Sequence, residues 1–170
     1  MRSPGFRTAV FALAAAAFLP GGGLAAGPAA APRDAFLANL AGKWTLTRKI
    51  RGAEVRNTVD AEWVLDGRFL EVHMRDAAEP PTYEAIVLMG FDPASGRYVA
   101  HWCDTYGAGY SAIGRGKRAG DSVELEFAYP DAPFFNTFTW HPERSEWTCL
   151  LENVRGGRRV VFAEDVLRRP

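Results

Sequence analysis

Trp63-Val64-Leu65-Asp66-Gly67-Arg68-Phe69-Leu70 is the stretch on which the fold turns. Asp66-Gly67 is a two-residue turn signal between alternating segments, and such a turn fixes strand register. It sets Leu65 opposite Arg68, Trp63 opposite Leu70, Ala61 opposite Val72 and Val59 opposite Met74, so one face is almost wholly apolar. The other face pairs Val64 with Phe69, Glu62 with Glu71 and Asp60 with His73. A lone hairpin with one oily face is marginal in water and needs further strands to cover it.

Working outward, turn signals recur every ~8–12 residues, the rhythm of an all-β barrel or sandwich. Strands are expected near 43–51, 56–65, 68–75, 82–92, 97–105, 109–118, 121–129, 134–141, 146–154 and 158–168. A turn at Ala119-Gly120 sets Gly116 against Val123, Gly114 against Leu125 and Ala112 against Phe127, small residues facing large ones, with Arg115 against Glu124 on the other face. A four-residue loop, Pro142 to Ser145, sets Trp140 against Trp147 and Phe138 against Cys149. Gly156-Gly157 sets Leu151 against Phe162 and Trp147 against Val166. These hairpins converge on one continuous apolar face, and a sheet of about ten such strands tends to curl and close. Before them, Asp34 can cap a short helix reaching Leu40, with Phe36, Leu37 and Leu40 on one side, and Gly42 ends it. The expectation is a single all-β domain over 34–170, an antiparallel up-and-down barrel with a short N-terminal helix.

The start of the chain reads as a targeting signal. Arg2 and Arg7 precede an apolar run from Thr8 to Leu19, Pro20 and three glycines break it, and Gly23-Leu24-Ala25-Ala26 offers a small-residue cleavage site. The run is well short of the ~20 residues that a bilayer requires, and no Cys follows it for a lipid anchor. Residues 1–26 are therefore expected to be a signal peptide and 27–33 a flexible Ala/Pro/Gly spacer. The mature protein would be exported, periplasmic or secreted, with no integral membrane segment. The chain carries 20 basic and 20 acidic side chains without a basic run, which argues against nucleic acid as a partner. Aromatic residues make up 12% and five are Trp, which suits an aromatic-lined interior or simply a large-residue core.

At Gly42-Lys43-Trp44 a known pattern enters. A short helix followed by Gly-x-Trp opening the first strand of a meander resembles the lipocalin and fatty-acid-binding (calycin) superfamily. That resemblance implies that Trp44 plugs one barrel end and that a basic residue of the last strand, Arg168 or Arg169, lies over it. More closely, the chain resembles the DUF1579-type calycin-like proteins, a bacterial family of unknown function. The likeness is carried by Leu40-Ala41-Gly42-Lys43-Trp44, by Trp63 to Leu70, by Gly90-Phe91-Asp92-Pro93 and by Tyr98-Val99-Ala100-His101-Trp102-Cys103-Asp104, and spans roughly 36–168. It implies a fold and no reaction. Haem-binding barrels are similar in strand count, but their glycine-richer opening is missing after Trp44.

Polar side chains placed inside are the informative ones. Arg48 shares a face with Trp44, Leu46 and Ile50, Asp104 with Tyr98, Ala100 and Trp102, Asn136 with Phe134, Phe138 and Trp140, and Glu164 with Val160, Phe162 and Val166. Charges in an apolar interior are costly unless paired. One reading is a head-group site in a pocket lined by Trp63, Trp102, Phe138, Trp140 and Trp147, where Arg48 meets a ligand carboxylate and Asn136 and Tyr98 supply neutral hydrogen bonds. The other is that Arg48 pairs inside with Glu164 or Asp104, or that these groups sit at a wet rim.

Glu62, Glu71, His73 and Arg75 form a second constellation, on the polar face, and read as a solvated exterior. His73, His101 and His141 share no metal-ligand spacing with one another or with Cys or Asp, leaving only a single-His haem ligand open; no nucleophile motif, phosphate loop or Cys-x-x-Cys is present. Cys149 shares the inner face with Trp147, whereas Cys103 has the opposite parity to Trp102. No bridge is expected between them unless a bulge shifts the parity. Three readings stay open: a binding module for a small hydrophobic or amphipathic molecule, a filled barrel serving as a structural or interaction domain, and an enzyme using Asp104, Glu164 or His101. No cofactor is called for.

Overall fold

Asp34 opens the ordered part of the chain: its Oδ1 accepts the Leu37 backbone N–H at 2.9 Å and so starts a single helical turn, α1 (Ala35–Ala38). The computed structural model describes residues 33–170. The expected signal peptide (1–26) and all of the expected spacer but Arg33 lie outside the described residues. Phe36, Leu37 and Leu40 are fully buried, and Gly42 then takes φ +107°, a left-handed value that favours glycine, as the chain turns into the first strand.

Ten strands follow: β1 (Gly42–Ile50), β2 (Ala53–Val64), β3 (Phe69–Asp76), β4 (Glu84–Asp92), β5 (Arg97–Asp104), β6 (Ala112–Ala119), β7 (Ser122–Ala128), β8 (Pro133–His141), β9 (Glu146–Arg155) and β10 (Arg158–Arg168). Each pairs antiparallel with its chain neighbours, and β1 pairs with β10, so the sheet closes into a barrel. Closure leaves no unpaired strand edge.

The β2–β3 hairpin has the register that Asp66-Gly67 demands, from Val59 opposite Met74 to Val64 opposite Phe69. Both turn residues adopt positive φ, 58° and 78°, which matches the twist of the flanking strands. Val59, Ala61, Leu70, Val72 and Met74 are buried on its inner face. Trp140 faces Trp147 and Phe138 faces Cys149 across β8–β9, again as the loop length requires.

Two registers differ from expectation. The β6–β7 turn is made by Gly120-Asp121, so Gly114 faces Phe127 and Gly116 faces Leu125, a slip of two residues that keeps the faces but changes every pair. The close approach explains both glycines: a Cβ on Gly116 would sit 1.7 Å from the Glu124 carbonyl oxygen, and one on Gly114 2.5 Å from the Phe127 ring. In β10 the register follows Gly156-Gly157 as far as Val161 opposite Glu152 and then shifts, so that Ala163 faces Leu151 and Leu167 faces Trp147. Phe162 is the extra residue of a β-bulge. Beyond it the faces invert. Glu164 and Val166 point out, and Asp165 and Leu167 point in, at 3% and 4% exposure.

One continuous apolar cluster fills the barrel from α1 through Leu46, Leu70, Val87, Ala100, Leu125 and Phe127. The two ends are unlike. The end formed by the start of β1 is sealed by α1, where Phe36 packs edge-on to Tyr98 and Trp147. The other end, formed by the end of β1, carries among the described residues only a single 3-10 turn, Ala108–Tyr110, in the β5–β6 connection. A satellite cluster of Cys149, Leu151 and Ala163 lies toward it, with Ile50, Phe134, Phe138 and Phe162 packed alongside.

Candidate functional site at the open end

At the sealed end every indole N–H with a described bond points to the turn that follows α1. Trp44 Nε1 donates to the Leu40 carbonyl at 2.7 Å and Trp147 Nε1 to the Asn39 carbonyl at 3.3 Å. Tyr98 Oη donates to the Asp34 carboxylate at 3.2 Å. Arginines cover the aromatic faces: Arg33 over Trp63, Arg118 over Phe36 and Arg169 over Trp44, the last at 3.6 Å from the ring centroid. Arg169, not Arg168, thus lies over Trp44. Arg168 keeps the outward parity left by the bulge and pairs with Glu146 at 2.7 Å. Trp63, Tyr98, Trp140 and Trp147 all belong to this end. They are packed against the helix or one another, not gathered round an open pocket.

Arg48, Trp102, Asp104 and Asn136 lie toward the open end. Arg48 donates through Nε and Nη2 to both oxygens of Asp165, at 2.7 and 2.6 Å, with both side chains buried. Neither expected partner holds it, because the bulge replaces Glu164 by Asp165 on the inner face. Burial alone would lower the Arg48 pKa. The paired hydrogen bonds and the charge of Asp165 outweigh it, so the guanidinium stays charged more firmly than usual. The same burial, with the Asp165 charge, pushes the Cys149 thiol well up.

Tyr83, just ahead of β4, links this pair to the next group. Its ring lies 5.9 Å from the Arg48 guanidinium, and its hydroxyl donates to Asp104 Oδ2 at 3.4 Å. Trp102 Nε1 donates to the same oxygen at 3.2 Å, and the Tyr106 backbone N–H to Oδ1 at 3.0 Å. Burial, with the Asp104 charge opposing Arg48, pushes the Tyr83 phenol up to about 12. Tyr129 is raised as well, by burial and by Asp104. Further aromatics continue the wall: Trp102 meets Phe127 edge-on, Tyr129 meets Phe134, Phe134 meets Phe162, and Tyr106 bridges Tyr83 and Tyr110.

Asn136 and Asn153 sit beside Phe134 on the inner face, Asn153 directly across from it and Asn136 two residues along β8. Their Oδ1 atoms are buried without a hydrogen-bond partner among the described residues. Native interiors leave few such atoms, since an unmet buried acceptor costs about 1–3 kcal/mol.

Phe138 lies between the ends, against the Cys149 cluster. Glu164 is outside, in an open trough of about 610 Å³ that it shares with Lys49, Arg168, Thr137, Thr139 and Thr148. His101 is also on the outer face, edge-on to Phe69. Asp104, Glu164 and His101 therefore do not converge on one point. Glu62 and Glu71 are opposite one another on the outer face, as the register requires, and His73 there contacts Glu84 at 2.6 Å. Cys103 is exposed beside Ser111, far in register from buried Cys149. Among the described residues no group of three His, Cys, Asp or Glu side chains is disposed to hold a metal, and no helix is long and apolar enough to cross a membrane.

Tyr83, Tyr129, Asn153 and Asp165 went unweighed in the sequence reading. Tyr129 and Asn153 carried a usable signal, since each continues the inner parity of its strand, Phe127 to Tyr129 and Leu151 to Asn153. No curated protein matches the chain. A family model does match, over residues 30–141, from before α1 to the end of β8. With a ten-stranded closed barrel and this match over most of its length, the chain belongs to the DUF1579 family of proteins of unknown function.

Proposed function

We propose that this protein is an exported, calycin-like barrel that binds a small amphipathic molecule at its open end. The apolar part would lie against Phe127, Phe134 and Phe162 and the polar part beside Asp104 and the two asparagines. The observation that carries this reading is the pair of buried, unpartnered amide oxygens of Asn136 and Asn153 beside an aromatic wall. A core with no further role would fill these positions with apolar side chains at no such cost. The packed midsection confines the ligand to the mouth, where Tyr129, Phe134 and Asp104 are only partly covered.

Native mass spectrometry of protein purified from its own source, together with displacement of an environment-sensitive apolar dye, tests the proposal. A co-purified small molecule, and dye binding weakened severalfold by Phe134→Ala, are expected. Bare protein that also ignores the dye would leave a filled barrel, a structural or interaction domain, as the remaining account.

A further inference from the structure

The polar groups at the open end are unequally matched, and the imbalance points to the ligand's charge. The guanidinium, indole and phenol donors are engaged. Arg48 gives two N–H groups to Asp165, Trp102 Nε1 and the Tyr83 hydroxyl point to Asp104, and the Tyr129 hydroxyl donates to the Tyr110 carbonyl at 3.0 Å. Two amide acceptors are unmet. Asn136 Oδ1 and Asn153 Oδ1 are buried and unmet, and Asn136 as a whole is 3% exposed. Formal charge leans the same way. Arg48 and Asp165 cancel one another at short range, which leaves the Asp104 carboxylate without a cation of its own among its described contacts.

The carboxylate is set among aromatic rings. Trp102 and Tyr83 touch it, and Tyr129 lies within reach of its charge. A carboxylate set among aromatic rings attracts a positive group through its charge, and any ring that turns its face to that group adds its quadrupole. The mouth also carries arginines, Arg51 over Phe162 and Arg155 and Arg158 at the β9–β10 turn. All three are solvent-exposed, and Arg51 is held 5.8 Å from the Phe162 ring centroid. An anionic head group would have to meet Asp104 and the buried acceptors to reach the interior.

From this we infer that the open end selects a cationic head group, a protonated amine on an apolar body, with Asp104 as its counter-ion and Asn136 and Asn153 accepting its N–H groups. The inference rests on the binding reading above and deepens it by naming the ligand class.

Three probes with the same chain, dodecylamine, dodecanol and dodecanoate, titrated below their aggregation thresholds and followed by calorimetry, separate the two. The amine is expected to bind about tenfold more tightly than the alcohol, roughly the scale of a charge-assisted contact beside aromatic faces. Dodecanoate is expected to be weakest. Asp104→Asn should bring amine and alcohol to within about twofold of one another, chiefly by weakening the amine. Equal affinity for amine and alcohol, or a preference for dodecanoate, overturns the cationic reading and leaves small-molecule binding standing. Failure of all three to bind overturns both. The wild-type comparison decides the matter even if the Asp104 variant does not fold.

Discussion

The two ends of this barrel hold similar numbers of aromatic rings and treat their polar groups in opposite ways. At the sealed end, the Trp44 and Trp147 indoles and the Tyr98 hydroxyl find partners in the residues that flank α1, Asp34, Asn39 and Leu40, and three arginines lie over ring faces. Those contacts gather on α1 and the residues that flank it. At the open end, polar groups answer one another along and between neighbouring strands, Arg48 to Asp165 and Trp102 and Tyr83 to Asp104, and two amide oxygens are unanswered. Buried charge and unmet acceptors cost stability. The comparison therefore assigns holding the fold to one end and recognition to the other.

Breaking the buried pair should give the largest effect. Asp165→Ala strands the Arg48 guanidinium in an apolar lumen and is expected to cost about 3–5 kcal/mol, read as a fall in the urea midpoint. The double replacement Arg48→Met with Asp165→Leu should recover most of that loss, since the desolvation of two charges disappears with them. A double variant as unstable as the single one would show that the pair holds the fold and would dissolve the contrast.

At the sealed end, Asp34→Ala removes the helix cap and the acceptor of the Tyr98 hydroxyl together. The expected loss is about 1 kcal/mol, seen as a lowered melting temperature. Dye binding at the open end should be unchanged, which sharpens the division of labour.

The smallest effect concerns pH. The Tyr83 phenol ionises at about 12 in the folded protein against an ordinary value of 10.0. Its raised pKa favours the neutral phenol in the fold, so this contribution is fully present below pH 10 and is lost as the pH rises through about 12. Urea midpoints should therefore decline across that window, and Tyr83→Phe should make the decline shallower. Tyr98, also pushed up to about 12 by burial and by Asp34, accounts for part of the slope that remains.

Much of the architecture could be read from turns and alternation. Asp66-Gly67 and the Pro142–Ser145 loop dictate register because their length and chemistry admit one pairing, and the structure has it. Gly120 was less decisive. Turns at 119–120 and at 120–121 preserve the same faces, so alternation could not choose between them. What chose was the close approach at Gly114 and Gly116. The run Val160-Val161-Phe162-Ala163 is apolar throughout and hides the change of parity completely. That is why Glu164 was expected inside and Asp165 was missed. The split of the aromatics between two ends was also illegible, because parity says which face a side chain takes and not what covers it. Trp63, Tyr98, Trp140 and Trp147 share the inner face with Trp102, yet only the packing of Phe36 on Tyr98 and Trp147 shows that their end carries a lid.

The bulge at Phe162 has a consequence for how this chain can change over time. Sidedness along the rest of β10 is kept by a count, much as a reading frame is, and a count is indifferent to which residues are swapped and sensitive to whether one is lost. The anion beneath Arg48 thus owes its place to a length, and the inheritance of that ion pair depends on one extra residue being present rather than on which residue it is.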